Sequence, residues 1–242
     1  MFKRLFIGVS LLALLTGCEK DPDPTIQLEG TYETSNTIVA GPIQLYTTGG
    51  RRITDQQVIK SFIKRRRAEE YFLFGNQTIS DSSSIELLFE AADKVTLSFK
   101  QPNQNDKVVE TEITARTQEQ LTLTSIAESR FFKTTDSPSS HCAELGDKIK
   151  TVYPELNWQA VSSASGYSGS YCNGRETRVL TLKNGKPVLT LLSWAVLAYG
   201  NFGGCSSSHN NEWNTFNTAL PAQLGSKDTI MVQIKEVALN KK

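Results

Sequence analysis

Thr177-Arg178-Val179-Leu180-Thr181-Leu182-Lys183-Asn184-Gly185-Lys186 runs into the apolar segment 188–197. Asn-Gly between two strand-like runs suits a two-residue turn whose positive φ values keep the twist of both flanking strands. The stretch predicts an antiparallel hairpin, and the same texture recurs outward from it. On the amino side, residues 71–74, 85–89, 95–99, 108–115, 121–124 and 130–133 are short strand candidates. Turn-forming clusters separate them: Gly75-Asn76, 81–84, Ala92-Asp93, 102–106 and 117–120. Short strands at roughly ten-residue spacing predict a mainly β protein, an antiparallel barrel or sandwich-like meander. In Val95-Thr96-Leu97-Ser98-Phe99 apolar and hydroxyl residues alternate, so one face is buried and the other wet. The last strand spans 229–237, with Ile230, Val232 and Ile234 on one face.

Before the meander, 28–34 and 42–47 also alternate. Thr54-Asp55-Gln56-Gln57 reads as a capping box. The amphipathic helix it opens, near 55–67, places Val58, Ile59, Phe62 and Ile63 on one face. Lys64-Arg65-Arg66-Arg67 ends it, where cations complement the helix dipole. That run is either a solvated helix end, offset by Glu69 and Glu70, or a contact for anionic lipid headgroups. A break at 136–140 is a candidate boundary between two subdomains. Beyond it, 141–153 suggests a short helix burying Leu145, Ile149 and Val152, 158–161 a strand, and 162–173 a Ser/Gly/Tyr-rich loop.

The amino end carries a separate signal. Lys3 and Arg4 precede an almost wholly apolar stretch, 5–15, which ends in Leu15-Thr16-Gly17-Cys18. A charged head, a short apolar middle and small residues at the cut form a secretory signal peptide. Eleven residues at ~1.5 Å each cover about half of a ~30 Å hydrocarbon core, too little for a spanning helix. Leu15 to Cys18 resembles the lipobox of bacterial lipoproteins. The resemblance implies cleavage after residue 17, acylation (palmitate) of Cys18, and a protein held by lipid at the cell envelope. The expected place is the outer membrane, on its periplasmic or exposed side. Residues 18–25, with Asp21-Pro22-Asp23-Pro24, are then an acidic, proline-broken tether, and 26–242 the β-rich domain. Farther on, Leu28-x-Gly30-Thr31-Tyr32 ahead of a strand meander resembles the opening of lipocalin-like barrels, with Tyr32 where that family has tryptophan. Over about 110 residues it implies a ligand-holding barrel.

Composition narrows the function. Of 242 residues, 38% are hydrophobic and 21% charged, an ordinary globular balance. The formal charge of +1 becomes −1 when Lys3 and Arg4 leave with the signal peptide. No global field attracts nucleic acid. With Cys18 acylated, Cys142, Cys172 and Cys205 remain. An oxidising compartment favours one disulfide, and folding about Asn184-Gly185 carries Cys172 and Cys205 to the same end, so these two are the expected pair. His141 beside Cys142, and Cys205 four residues before His209, match no zinc-site spacing. Neither a G-x-S-x-G elbow, a Walker loop, an H-E-x-x-H helix nor a dinucleotide fingerprint occurs. The aromatics cluster late. Trp194 lies in an apolar strand and reads as core, whereas Trp213, Tyr167 and Tyr171 fall in or beside loops and are the candidate binding residues. The expectation is a non-enzymatic binding or envelope-associated module without cofactor or metal. Its partners would be the membrane, through the lipid, and a glycan, lipid or protein ligand. The alternative is an extracytoplasmic hydrolase or metal-binding protein using His141 or His209.

Overall fold

A computed structural model describes residues 26–66, 68–69, 71–79, 83–90, 93–100, 105–136, 141–154, 157–162, 168–200, 203–210 and 216–242. The Asn-Gly turn forms as expected. Asn184 and Gly185 take φ of 53° and 74°, and Lys183 faces Lys186 across it. The hairpin joins β10 (Ser168–Lys183) to β11 (Lys186–Gly200). The other strands are β1 (Gly30–Ala40), β2 (Gln44–Thr47), β3 (Arg51–Ile53), β4 (Gln77–Thr78), β5 (Ser84–Phe89), β6 (Lys94–Lys100), β7 (Lys107–Arg116), β8 (Gln120–Asp136), β9 (Asn157–Ser162), β12 (Gly203–Asn210) and β13 (Asp228–Lys241). Two helices accompany them, α1 (Gln56–Arg66) and α2 (His141–Val152).

Eight strands close into a barrel. β1, β5, β6, β7, β8, β10, β11 and β13 pair in that order, each antiparallel to the next, and β13 returns to β1. The order is that of the chain, an up-and-down meander that leaves the ring no free edge. The ring draws strands from both sides of 136–140. Inward residues alternate along each strand: Leu87 and Phe89, Val95 and Leu97, Leu121 and Leu123, Leu189 and Leu191, Val237 and Leu239. Tyr32 joins them, its ring edge-on to Phe89 at 5.5 Å. Gly30 begins β1 at φ 81°, a conformation an L side chain would strain. Ile26 plugs this end, which carries the hairpin turn. Its N–H donates to the Thr117 carbonyl at 3.1 Å, and its own carbonyl accepts from Arg116.

At the far end the hairpin parts. β10 and β11 pair only from Leu180–Leu189 to the turn; beyond that β9 takes the edge of β10 and β12 that of β11. The upper halves of β11 and β13 stay paired and bury both faces. Leu192, Trp194, Val196, Ile230 and Val232 pack under α2 through Ile149 and Val152. Ala195 and Met231, on the opposite face, pack with Ile59 and Ile63 of α1, and with Ile43, Leu45 and Phe72. Double-sided burial explains why 188–197 is nearly continuous in apolar residues. Lys148 ties α2 to β13, its Nζ 2.5 Å from Asp228 Oδ2.

Several expectations need correction. The cap of α1 is Asp55, one residue past Thr54: its Oδ1 accepts from the Gln57 and Val58 N–H groups at 2.8 and 3.2 Å. Val58 is 48% exposed, not part of the buried face. Residues 168–173 are strand rather than loop, because β8 and β9 supply ladder partners on both sides. β8 runs unbroken through what reads as two strands. Ile234 does share one face with Ile230 and Val232, as expected, and lying beyond the cover of α2 it is 47% exposed.

Candidate functional site

A concavity on the described surface originates in an irregularity of β1. Thr34 faces Leu239 and Ile38 faces Val237, so four steps on β1 meet two on β13 and the intervening residues bulge outward. The bulge opens a cleft of about 670 Å³ lined by Glu33, Thr34, Ser35, Asn36, Ser84, Asn240, Lys241 and Lys242. Its lining residues carry carboxylate, hydroxyl, amide and ammonium groups that can donate and accept hydrogen bonds. Lys242 Nζ lies 2.6 Å from Glu86 Oε2 and 3.1 Å from Glu33 Oε2. The Ser84 hydroxyl donates to Glu33 Oε1 at 2.8 Å. The hydrogen bond from Ser84, then that from Lys242, holds the Glu33 carboxyl below its ordinary pKa; for Glu86 the leading cause is the Lys242 hydrogen bond. These bonds to Glu86 and Glu33 raise the Lys242 ammonium in turn.

A second polar group lies inside the barrel wall. Arg178, 2% exposed, donates from Nη2 to Glu176 Oε2 at 2.8 Å and sits over the Phe99 ring at 5.1 Å. Ser129 Oγ donates to Glu176 Oε1 at 3.1 Å, and Lys107 at the rim lies 4.0 Å from the same oxygen. Across the ring, Gln233 clamps the segment after α1 to β13. Its Oε1 accepts from the Leu73 N–H at 2.8 Å, and its Nε2 donates to the Leu73 and Gly41 carbonyls at 2.7 and 2.9 Å. Two residues on, Lys235 is 2% exposed, and burial pushes its pKa down to about 8. Arg178 and Glu176 are thus a buried ion pair held by further hydrogen bonds.

The residues singled out by sequence are scattered. Cys18, Tyr167 and Trp213 lie outside the described residues. Tyr171 is a β10 residue opposite Lys133 and Gln159, but its side chain is not described. Trp194 is core, 1% exposed. His141 opens α2 and His209 sits on β12 opposite Trp194. Among the described residues no three potential ligands gather around a metal position, and no helix is long and apolar enough to cross a membrane. Cys172 and Cys205 both lie toward the end away from the hairpin turn, but β9 occupies the β10 edge beside Cys172. Sequence reasoning missed Glu33, Lys242, Glu176, Arg178, Gln233 and Lys235. A signal existed for three of them: Gln233 and Lys235 share strand parity with Met231 and Val237, and Arg178 shares it with Leu180 and Leu182, which makes them inward. The chain matches no protein-family model and no curated protein sequence.

Proposed function

We propose that this chain is a lipid-anchored extracytoplasmic lipoprotein of the cell envelope, attached through acylated Cys18, which binds a ligand rather than transforming one. The observation that supports binding is the cleft at the β1 bulge. Its lining matches a small polar ligand rich in hydroxyl groups, such as a sugar unit, better than a lipid tail. The position of Ile26 at one barrel end supports the tether, since a segment 18–25 would leave the barrel from that end. Eight residues at ~3 Å each would hold that end within about 25 Å of the bilayer. A Cys172–Cys205 bridge belongs to the same proposal, and peptide mapping without reductant reads it directly.

Two measurements test the reading. Metabolic labelling with an alkyne fatty acid should mark the wild type and spare Cys18→Ala; label on the variant removes the anchor. The full chain in non-ionic detergent, examined by native mass spectrometry, should retain a glycan adduct that Asn36→Trp, which fills the cleft, abolishes. An adduct unaffected by Asn36→Trp would remove the cleft from the account.

A further inference from the structure

Segment 51–67 contains seven Lys or Arg residues and one acid, Asp55, in a chain whose total formal charge is +1. The side chains of Arg51, Arg52, Lys60, Lys64 and Arg65 are all exposed. Elsewhere the described cations tend to face carboxylates: Lys100 with Glu86, Arg116 with Asp93, Arg175 with Glu112, Lys183 with Glu236. None of these five makes an ion pair among the described residues. Two of them make aromatic contacts instead. Lys60 Nζ lies 5.6 Å from the centre of the Phe74 ring, and Arg65 lies over Phe62 at 5.9 Å. Phe74 is 46% exposed and Val58 48%.

Stability does not account for this arrangement. The dipole of α1 favours cations in its last turn, which covers Lys64 and Arg65 but not Lys60, Arg51 or Arg52. Lys60 and Lys64 are like charges at i and i+4, a destabilising spacing on a helix. We propose that the exposed face of α1, with Phe74 beside it, is the docking surface for an acidic polysaccharide. Carboxylate or phosphate groups along such a polymer meet Lys60, Lys64 and Arg65, and the exposed Phe74 ring offers a sugar ring a stacking plane. Placement fits a partner that approaches from outside. α1 packs on Ala195, nine residues along β11 from Lys186 at the hairpin turn, or ~30 Å at strand rise. The face is thus at the opposite barrel end from Ile26; that placement counts toward an outside partner only with the proposed tether, whereas the charge and ring geometry stand without it.

The test uses the full chain in non-ionic detergent at low salt, where exposed charges are least screened. Its probes are polygalacturonate, neutral dextran, polyglutamate, duplex DNA and phosphatidylglycerol vesicles. Polygalacturonate should be bound in preference to the other four. Combined Lys60→Glu, Lys64→Glu and Arg65→Glu should weaken it at least tenfold, and Phe74→Ala several-fold, while Lys186→Glu at the other end changes nothing. Absence of binding, or binding that survives the triple reversal, overturns the proposal. So does equal affinity for polyglutamate or DNA with no dependence on Phe74, which would reduce the face to a bare charge patch. A preference for vesicles would assign it to a lipid surface instead.

Discussion

Replacing Lys235 by methionine removes a buried ammonium and keeps the length of the side chain. Burial pushes this lysine from 10.5 down to about 8. The folded chain therefore holds the proton less tightly than the unfolded chain, and the charged form opposes folding. At ~1.4 kcal/mol per pH unit, the penalty at pH 7 is about 3 kcal/mol. Between pH 8 and 10.5 the unfolded state binds more protons, so wild-type stability rises with pH across that window. Lys235→Met should accordingly gain about 3 kcal/mol at pH 7, less ~1 kcal/mol for the polar interaction that the thioether cannot replace. The net gain should fall by roughly half by about pH 9, reach zero at about pH 10 and turn into a small loss above it. Urea unfolding of both proteins at several pH values isolates the effect, because other titrating groups cancel in the difference. A difference that stays constant from pH 7 to 10 would refute the reasoning, whatever its sign.

Three further outcomes follow from the side-chain geometry. Asp55→Ala deprives two α1 N–H groups of their acceptor and should cost about 1 kcal/mol, read by urea midpoint; Thr54→Ala should change little. Glu176→Gln leaves Arg178 buried without its counter-charge and should cost about 3–5 kcal/mol, whereas Glu176→Gln with Arg178→Met should recover much of that deficit in a double-mutant cycle. Because Glu33 and Glu86 are both lowered, they stabilise the fold above their ordinary pKa of 4.5 and cease to do so as pH falls through the lower folded values. Glu86→Gln should therefore flatten the acid limb of stability below pH 4.5, and an unchanged limb would remove the cluster from the account.

The parts of the fold legible in sequence are those where local chemistry and tertiary demand agree. Asn184-Gly185 can do little except turn, and Val95 to Phe99 shows its inner and outer faces directly. What stayed hidden depends on partners distant in the chain. Ser168-Gly169-Ser170 has poor strand propensity and becomes strand because β8 and β9 bracket it. Val58 fits the apolar stripe of α1, but the sheet beneath covers only the side carrying Ile59 and Ile63. The cleft was illegible because no sequence feature announces the β1 bulge. Glu176 and Arg178 are charged residues on the inward side of a strand; the Phe99 ring and the Ser129 hydroxyl make their burial tolerable.

Pairing of β1 with β13 has a kinetic corollary. Thr34 and Leu239 are about 200 residues apart, so the pairing that seals the ring carries a large loop-closure entropy and forms slowly. A ribosome emits β1 long before β13, and until then the nascent sheet keeps two raw borders open to chaperones, proteases or a neighbouring chain. Truncation before residue 228 would make that state permanent.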